Sequence, residues 1–206
     1  MTERIPVNPG IVDWAGENPG IYLKDTPDGD YVTLGLFFRI VLSPHGRGHT
    51  MLILGAPSEA KGYPDAMNLC FTDNEPLTHY LIDDFASKFP TFKGQPGLLN
   101  ATWVSMTSIE KSGDLKSEYI ETVNGDGVTA SMIWKNLNPP FAVEVSPTHS
   151  VTGAHDMYSV FLEATDAAIS INGKELSGRV ADRVLFGKTI STAFLAFAET
   201  WVTPAA

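Results

Sequence analysis

A single cysteine in 206 residues leaves Cys70 without an internal disulfide partner. It stands in MNLCFT, an apolar stretch, where its default role is a small buried hydrophobe. Cysteine usage therefore gives no pointer to an oxidising compartment. No apolar run approaches the ~20 residues of a transmembrane helix. The N-terminal MTERIPVNPG lacks both an apolar signal core and a small-residue cleavage site, so a cytoplasmic address is expected. Positive charge is scarce: 14 Lys+Arg face 24 Asp+Glu, a net charge of -10. Such a surface repels phosphate backbones, so neither nucleic acid nor an anionic membrane is an expected partner. There is no nucleophile elbow, no HExxH and no dinucleotide fingerprint. Serine- or cysteine-dependent hydrolysis and nicotinamide chemistry are thereby disfavoured, and no cofactor is expected. Internal repeats, low-complexity segments and composition shifts are missing too, which favours one domain over 1–206.

What is present is a strand-forming chain. With 43% hydrophobic residues it can bury a sizeable core. Residues 1–30, rich in Pro, Gly and Asp, read as a loop-like arm with one short strand, IYLK, and with Trp14 packed on the body. YVTLGLFFRIVL (31–42) is a strand, as is HTMLILGAP (49–57). Period two divides 31–42 into an all-apolar row through Leu34, Leu36, Phe38 and Ile40 and a mixed row through Tyr31, Phe37 and Arg39. One segment has helical spacing, 75–89, with capping oxygens at Thr72, Asp73 and Asn74 and Pro76 in its first turn. Strands at 101–109, 116–123, 128–135, 141–145 and 157–165 are separated by Gly, Asn and Pro turns, and Asn172-Gly173 signals a hairpin. STAFLAFAETWV (191–202) is apolar on both rows and reads as a doubly covered strand. The fold class is all-β with one main amphipathic helix: an antiparallel barrel or a strongly curved sheet.

Candidate chemistry is thinly marked. LSPHGRGHTM places His45 and His49 four residues apart around a Gly-rich turn. The segment leads into a strand, which argues against a phosphate cradle, and it lacks the further ligands that a metal site wants. A plain turn and a catalytic mouth both remain. His79 and Asp83 share a helix at i, i+4, a spacing that suits a general base or a solvated face. Arg39, Glu144, Glu163 and Glu199 are charges embedded in apolar strands, so each must reach solvent, pair or titrate abnormally. His149 and His155 lie in a loop before a strong strand. From these, Glu199, Arg39, His155, His49 and His45 are the catalytic candidates. Tyr31, Phe37, Trp103, Trp134, Tyr158 and Trp201 are the ligand-binding candidates, and no metal ligand is assigned. Strands 31–42 and 191–202 are expected side by side, bringing Arg39 and Glu199 into ion-pair reach or onto one cavity wall.

The late segment SVFLEATDAAISINGKELSGRVADRVLFGKTISTAFLAFAETWV resembles the closing strands of bacterial lipocalin-like β-barrel proteins. That resemblance implies an antiparallel barrel with a hydrophobic cavity. The lipocalin Gly-x-Trp signature is replaced by GIVDW, and no site residue is carried across. The leading functional expectation is a cofactor-independent acid/base enzyme of the lyase, isomerase or hydratase type. Its substrate is a small, largely apolar metabolite, hydrophobic or aromatic, held in the barrel cavity. The alternative is a non-catalytic carrier of the same ligand class. A homodimer is compatible with either.

Overall fold

The computed structural model describes residues 9–185 and 187–205. Residues 1–8 of the expected N-terminal arm lie outside the described residues. Most of the rest of that arm is strand, not loop. β1 (Gly10–Glu17) and β2 (Gly20–Lys24) are one extended stretch broken at Asn18-Pro19. β3 (Tyr31–Leu42) and β4 (Gly48–Leu54) form the expected hairpin around the His45 turn. β5 (Asn68–Thr72) then leads into α1 (Glu75–Asp84), a 3-10 turn at Ala86–Lys88 and the short α2 (Pro96–Leu99). β6 (Thr102–Ser105), β7 (Ser108–Gly113), β8 (Glu118–Gly125), β9 (Val128–Leu137) and β10 (Phe141–Val145) follow. β11 (Asp156–Ile171) is a single long strand that merges two expected ones. β12 (Lys174–Glu175), β13 (Asp182–Leu185), β14 (Lys188–Ser191) and β15 (Ala193–Pro204) complete the chain.

The strands form a large curved sheet in the order β6-β5-β4-β3-β1-β15-β11-β9-β8-β7. β2 continues β1 between β3 and β15. β10 and β12 add to β11, and β13–β14 is a separate hairpin. The two ends of this order are consecutive in the chain. Met106 N–H donates to Thr72 O (2.8 Å) and Thr107 N–H to Asn124 O (2.7 Å), so the edges adjoin where β6 becomes β7. One pair departs from the antiparallel expectation: β5 and β6 are parallel. Parallel neighbours need a crossover, and α1 is part of it.

The helix forms where its caps predict. The Asn74 side chain accepts from Leu77 N–H (3.2 Å) and donates to His45 O and Arg47 O (both 3.0 Å), so one residue caps α1 and fixes the turn. α1 ends five residues before the expected limit, and the 3-10 turn takes up the remainder. Leu77, Leu81 and Ile82 are buried on the sheet. Thr78 joins Thr50 (2.5 Å) and Thr72 (2.6 Å) in a buried hydroxyl chain that pins α1 to β4 and β5.

Both faces of β3 are covered, as its two buried rows require. Leu34, Leu36, Phe38 and Ile40 face the convex side, under α1 and the rings of Trp14, Phe85 and Trp201. Phe37 faces the concave side with Met51, Phe71, Met132 and Trp134. A Cβ on Gly35 would lie 2.5 Å from Ile169 Cδ1 and 2.8 Å from Met132 Cε. A larger residue there would have to displace these two side-chain ends, which reach across from β11 and β9. The concave side is thus filled by side chains. Each fully buried large residue there contributes ~1.5–3 kcal/mol of transfer free energy.

Candidate functional site

β1 settles where the charged candidates lie. Arg39 on β3 is paired with Glu17 of β1, and Gly16 of β1 with Glu199 of β15. β1, expected as loop, therefore stands between the two strands that were expected to be neighbours. Arg39 and Glu199 also point to opposite faces.

The concave side carries Arg39. Its Nη2 donates to both oxygens of the fully buried Glu121 (2.6 and 2.8 Å), and its Nε donates to Glu17 (3.1 Å). Tyr119 O–H donates to the same Glu121 oxygen. Burial opposes the guanidinium charge, but the hydrogen bond and attraction of Glu121, with Glu17 added, hold its pKa above the ordinary value. At the rim, His49 Nε2 lies 3.4 Å from Arg39 Nη1, while His49 Nδ1 pairs with Asp73 Oδ2 (2.6 Å). Arg39, Glu17 and Glu121 thus each have an opposite charge as neighbour.

The convex side carries Glu199, and a bulge puts it there. Phe194 and Ala196 belong to the convex core and Leu195 to the concave core. Ala198 then takes φ +50, and the pairing of β15 with β11 shifts between Val160↔Phe197 and Tyr158↔Thr200. The extra residue reverses the alternation, so Glu199 and Trp201 turn to the convex side. Period two had placed Glu199 in the row of Leu195 and Phe197. The positive φ falls on an alanine, a residue that gives no advance sign of it.

Glu199 lines a cavity of about 70 Å³ between the sheet and its covering loops. Its walls include Tyr22, Met157, Phe161, Phe194 and Trp201, with the exposed Pro90 at the rim. Trp201 Nε1 donates to Glu199 Oε1 (2.7 Å). No cation pairs with this carboxyl among the described residues. Burial pushes its pKa up to about 8, and hydrogen bonds from Trp201 and Ser159 pull against that rise. Tyr22 is raised as well, by burial first and against the pull of Arg183.

Two further cavity residues were not foreseen. Arg183, on β13, stacks over the rings of Phe194 (4.6 Å) and Tyr22 (4.9 Å). Burial lowers its pKa, against the opposing effect of Tyr22 and Tyr31. Asn18 occupies the break between β1 and β2, its N–H held by Ala196 O (2.9 Å). Arg183 Nε and Asn18 Nδ2 are both buried without an acceptor. The sequence signal for Arg183 was the short DRVL strand before a Gly turn, and Asn18-Pro19 marked the strand break. Glu121 shares an alternating row with Tyr119 and Val123, which could have exposed it.

The remaining candidates disperse. His45 is exposed and rests on Tyr80 (4.9 Å), away from His49. His155 packs on Phe85 and Trp201 and lies 3.5 Å from Asp13. His79 stacks on the partly exposed Trp103 (4.5 Å) and approaches Glu75 (3.8 Å). Phe37 and Trp134 are in the packed concave core. Tyr31 lies beside Tyr22, under Lys24, and Tyr158 lines a shallow surface depression with Glu144. Of the six aromatic candidates, Trp201 is the one that lines the Glu199 cavity. Glu163 accepts from Ser191 N–H (2.7 Å), and Glu144 is exposed. Cys70 is fully buried, its thiol pushed up to about 12 by burial. Among the described residues, no three His, Cys, Asp or Glu side chains gather as metal ligands, and no helix is long and apolar enough to cross a membrane. Comparison of the chain with protein-family models, curated proteins and solved structures finds no match.

Proposed function

We propose that this chain is a cofactor-independent acid/base enzyme of the lyase, isomerase or hydratase type. Its substrate, a small and largely apolar metabolite, sits in the Glu199 cavity on the convex face. The observation that carries this reading is a buried carboxyl without a cation partner among the described residues, in an apolar-walled cavity, with a pKa of about 8. Such a group both holds and releases a proton near neutrality, as a general acid/base must. Tyr22, held higher, stays protonated beside it as a hydrogen-bond donor. The adjoining edges of the sheet at β6 and β7 support a lipocalin-like barrel as the scaffold, with its interior packed. The single buried Cys70 fits a cytoplasmic address.

A carrier function is the second reading. It is favoured by the cavity having one group, Glu199, that titrates near neutrality, whereas acid/base catalysis commonly uses a pair. The two readings separate in one experiment. Wild type and Glu199→Gln are incubated with a panel of small hydroxy, keto and enoic compounds, and products are followed by mass spectrometry. The expected result is conversion by wild type, a rate that bends near pH 8, and a loss of about 100-fold or more in the variant. Equal rates in both proteins overturn the role of Glu199. Saturable binding with no conversion by wild type selects the carrier.

A further inference from the structure

The two unpartnered polar atoms in the Glu199 cavity are of one kind. Arg183 Nε and Asn18 Nδ2 are both N–H donors, both are buried, and neither has an acceptor among the described residues. Buried donors left unmade are costly, and a ligand acceptor removes that cost. Arg183 is also a desolvated cation, and no carboxylate of the described chain forms an ion pair with it. Its plane is held by the rings of Tyr22 and Phe194 and by a hydrogen bond to Tyr22, which fixes the fork and leaves Nε on its edge without an acceptor among the described residues. An edge of this kind matches a carboxylate.

We infer that the cavity takes a short monocarboxylate, its carboxylate held by Arg183 and Asn18 and its apolar body packed against Phe161, Met157 and Trp201. This rests on the cavity being the ligand site and adds the chemistry of the ligand's polar end. One arginine balances one negative charge. A phosphate dianion would leave excess charge in a chain already at -10. The volume of about 70 Å³ has room for roughly five water-sized groups, at ~10–15 Å³ each, which favours a short ligand. Glu199 in its protonated form donates as well, so it tolerates an anion nearby.

Calorimetric titration of the full chain with butanoate, hexanoate and benzoate, each against its neutral amide, tests this. The expected result is saturable binding of at least one acid, about tenfold or more tighter than its amide, a preference that Arg183→Met abolishes. Arg183→Lys keeps the charge but loses the fork, so it should retain part of the preference. Circular dichroism of both variants checks that they fold. Should Arg183→Met fail to fold, Asn18→Leu is expected to weaken the acids more than the amides. Acids and amides binding alike, no binding of any acid at millimolar concentration, or butyl phosphate binding more tightly than butanoate each overturns the inference. The proposed function fails separately. If the acids bind through Arg183 but Glu199→Gln converts the compound panel as fast as wild type, the ligand chemistry stands and the role of Glu199 falls.

Discussion

The two faces of the sheet hold the same kinds of group in opposite condition. On the concave side, Arg39, Glu17, Glu121, Tyr119, His49 and Asp73 satisfy one another over short distances. On the convex side, Glu199 and Arg183 share a cavity wall without pairing, and among the described residues three buried donors, Asn18 Nδ2, Arg183 Nε and Trp14 Nε1, are left over. A buried charge with a partner keeps its charge. A buried charge without one shifts its pKa toward neutrality. Arg39 is accordingly held above its ordinary value, whereas Arg183 is lowered and Glu199 raised. The first region fits a structural role, and the second is where the proposed ligand site lies. Buried groups with shifted pKa values are enriched at functional sites, which supports the proposal for the second region.

The largest effect should come from breaking the satisfied region. Arg39→Met leaves Glu121 buried and uncompensated, and should cost about 3–5 kcal/mol in urea unfolding. Arg39→Met with Glu121→Met should recover much of that loss, because no orphan charge remains. If the single variant loses under about 1 kcal/mol, the pair is not structural and the contrast between the faces collapses.

An intermediate effect is expected at Glu199, and it depends on pH. Its folded pKa of about 8 lies above the ordinary 4.5, so the folded chain holds a proton that the unfolded chain releases. This group's contribution to stability is therefore greatest below pH 4.5, declines as pH rises to about 8, and is constant beyond. Glu199→Gln, which imitates the protonated form, should match wild type near pH 4.5 and melt roughly 5 °C or more higher near pH 9. Parallel melting curves across that range would show that the carboxyl is charged in the folded state and would remove the asymmetry.

The smallest effect belongs to His49. Its Nδ1 contact with Asp73 lies at the rim, so His49→Ala should cost about 0.5–1.5 kcal/mol in the same unfolding assay. It should leave conversion of the compound panel unchanged. Loss of conversion in this variant, with Glu199→Gln intact, would exchange the roles of the two faces.

Much of the fold was legible in local pattern. Alternation in 31–42 marked a strand with one all-apolar row facing a core, and Asn74 with Pro76 marked the start of the helix. Asn172-Gly173 marked a hairpin, and both residues take the positive φ that such a turn needs. The Pro- and Gly-rich start hid β1. Strand formation there rests on pairing with Thr200, Trp201 and Val202 at the far end of the chain, which no local window contains.

The site was legible only in part. The sequence by itself determined that charges embedded in apolar strands had to be resolved, because desolvation leaves an isolated charge no cheap alternative. It thus singled out Arg39 and Glu199. Their faces and partners were tertiary decisions. A bulge at Ala198 turned Glu199 to the convex side, and β1 inserted Glu17 beside Arg39. Glu121 reached Arg39 from 82 residues away, and the hairpin of β13 and β14 brought Arg183 over Tyr22. Alternation fixes which residues share a face only as far as the next irregularity. A pairing between distant strands depends on topology, to which each strand's own sequence contributes only its pattern.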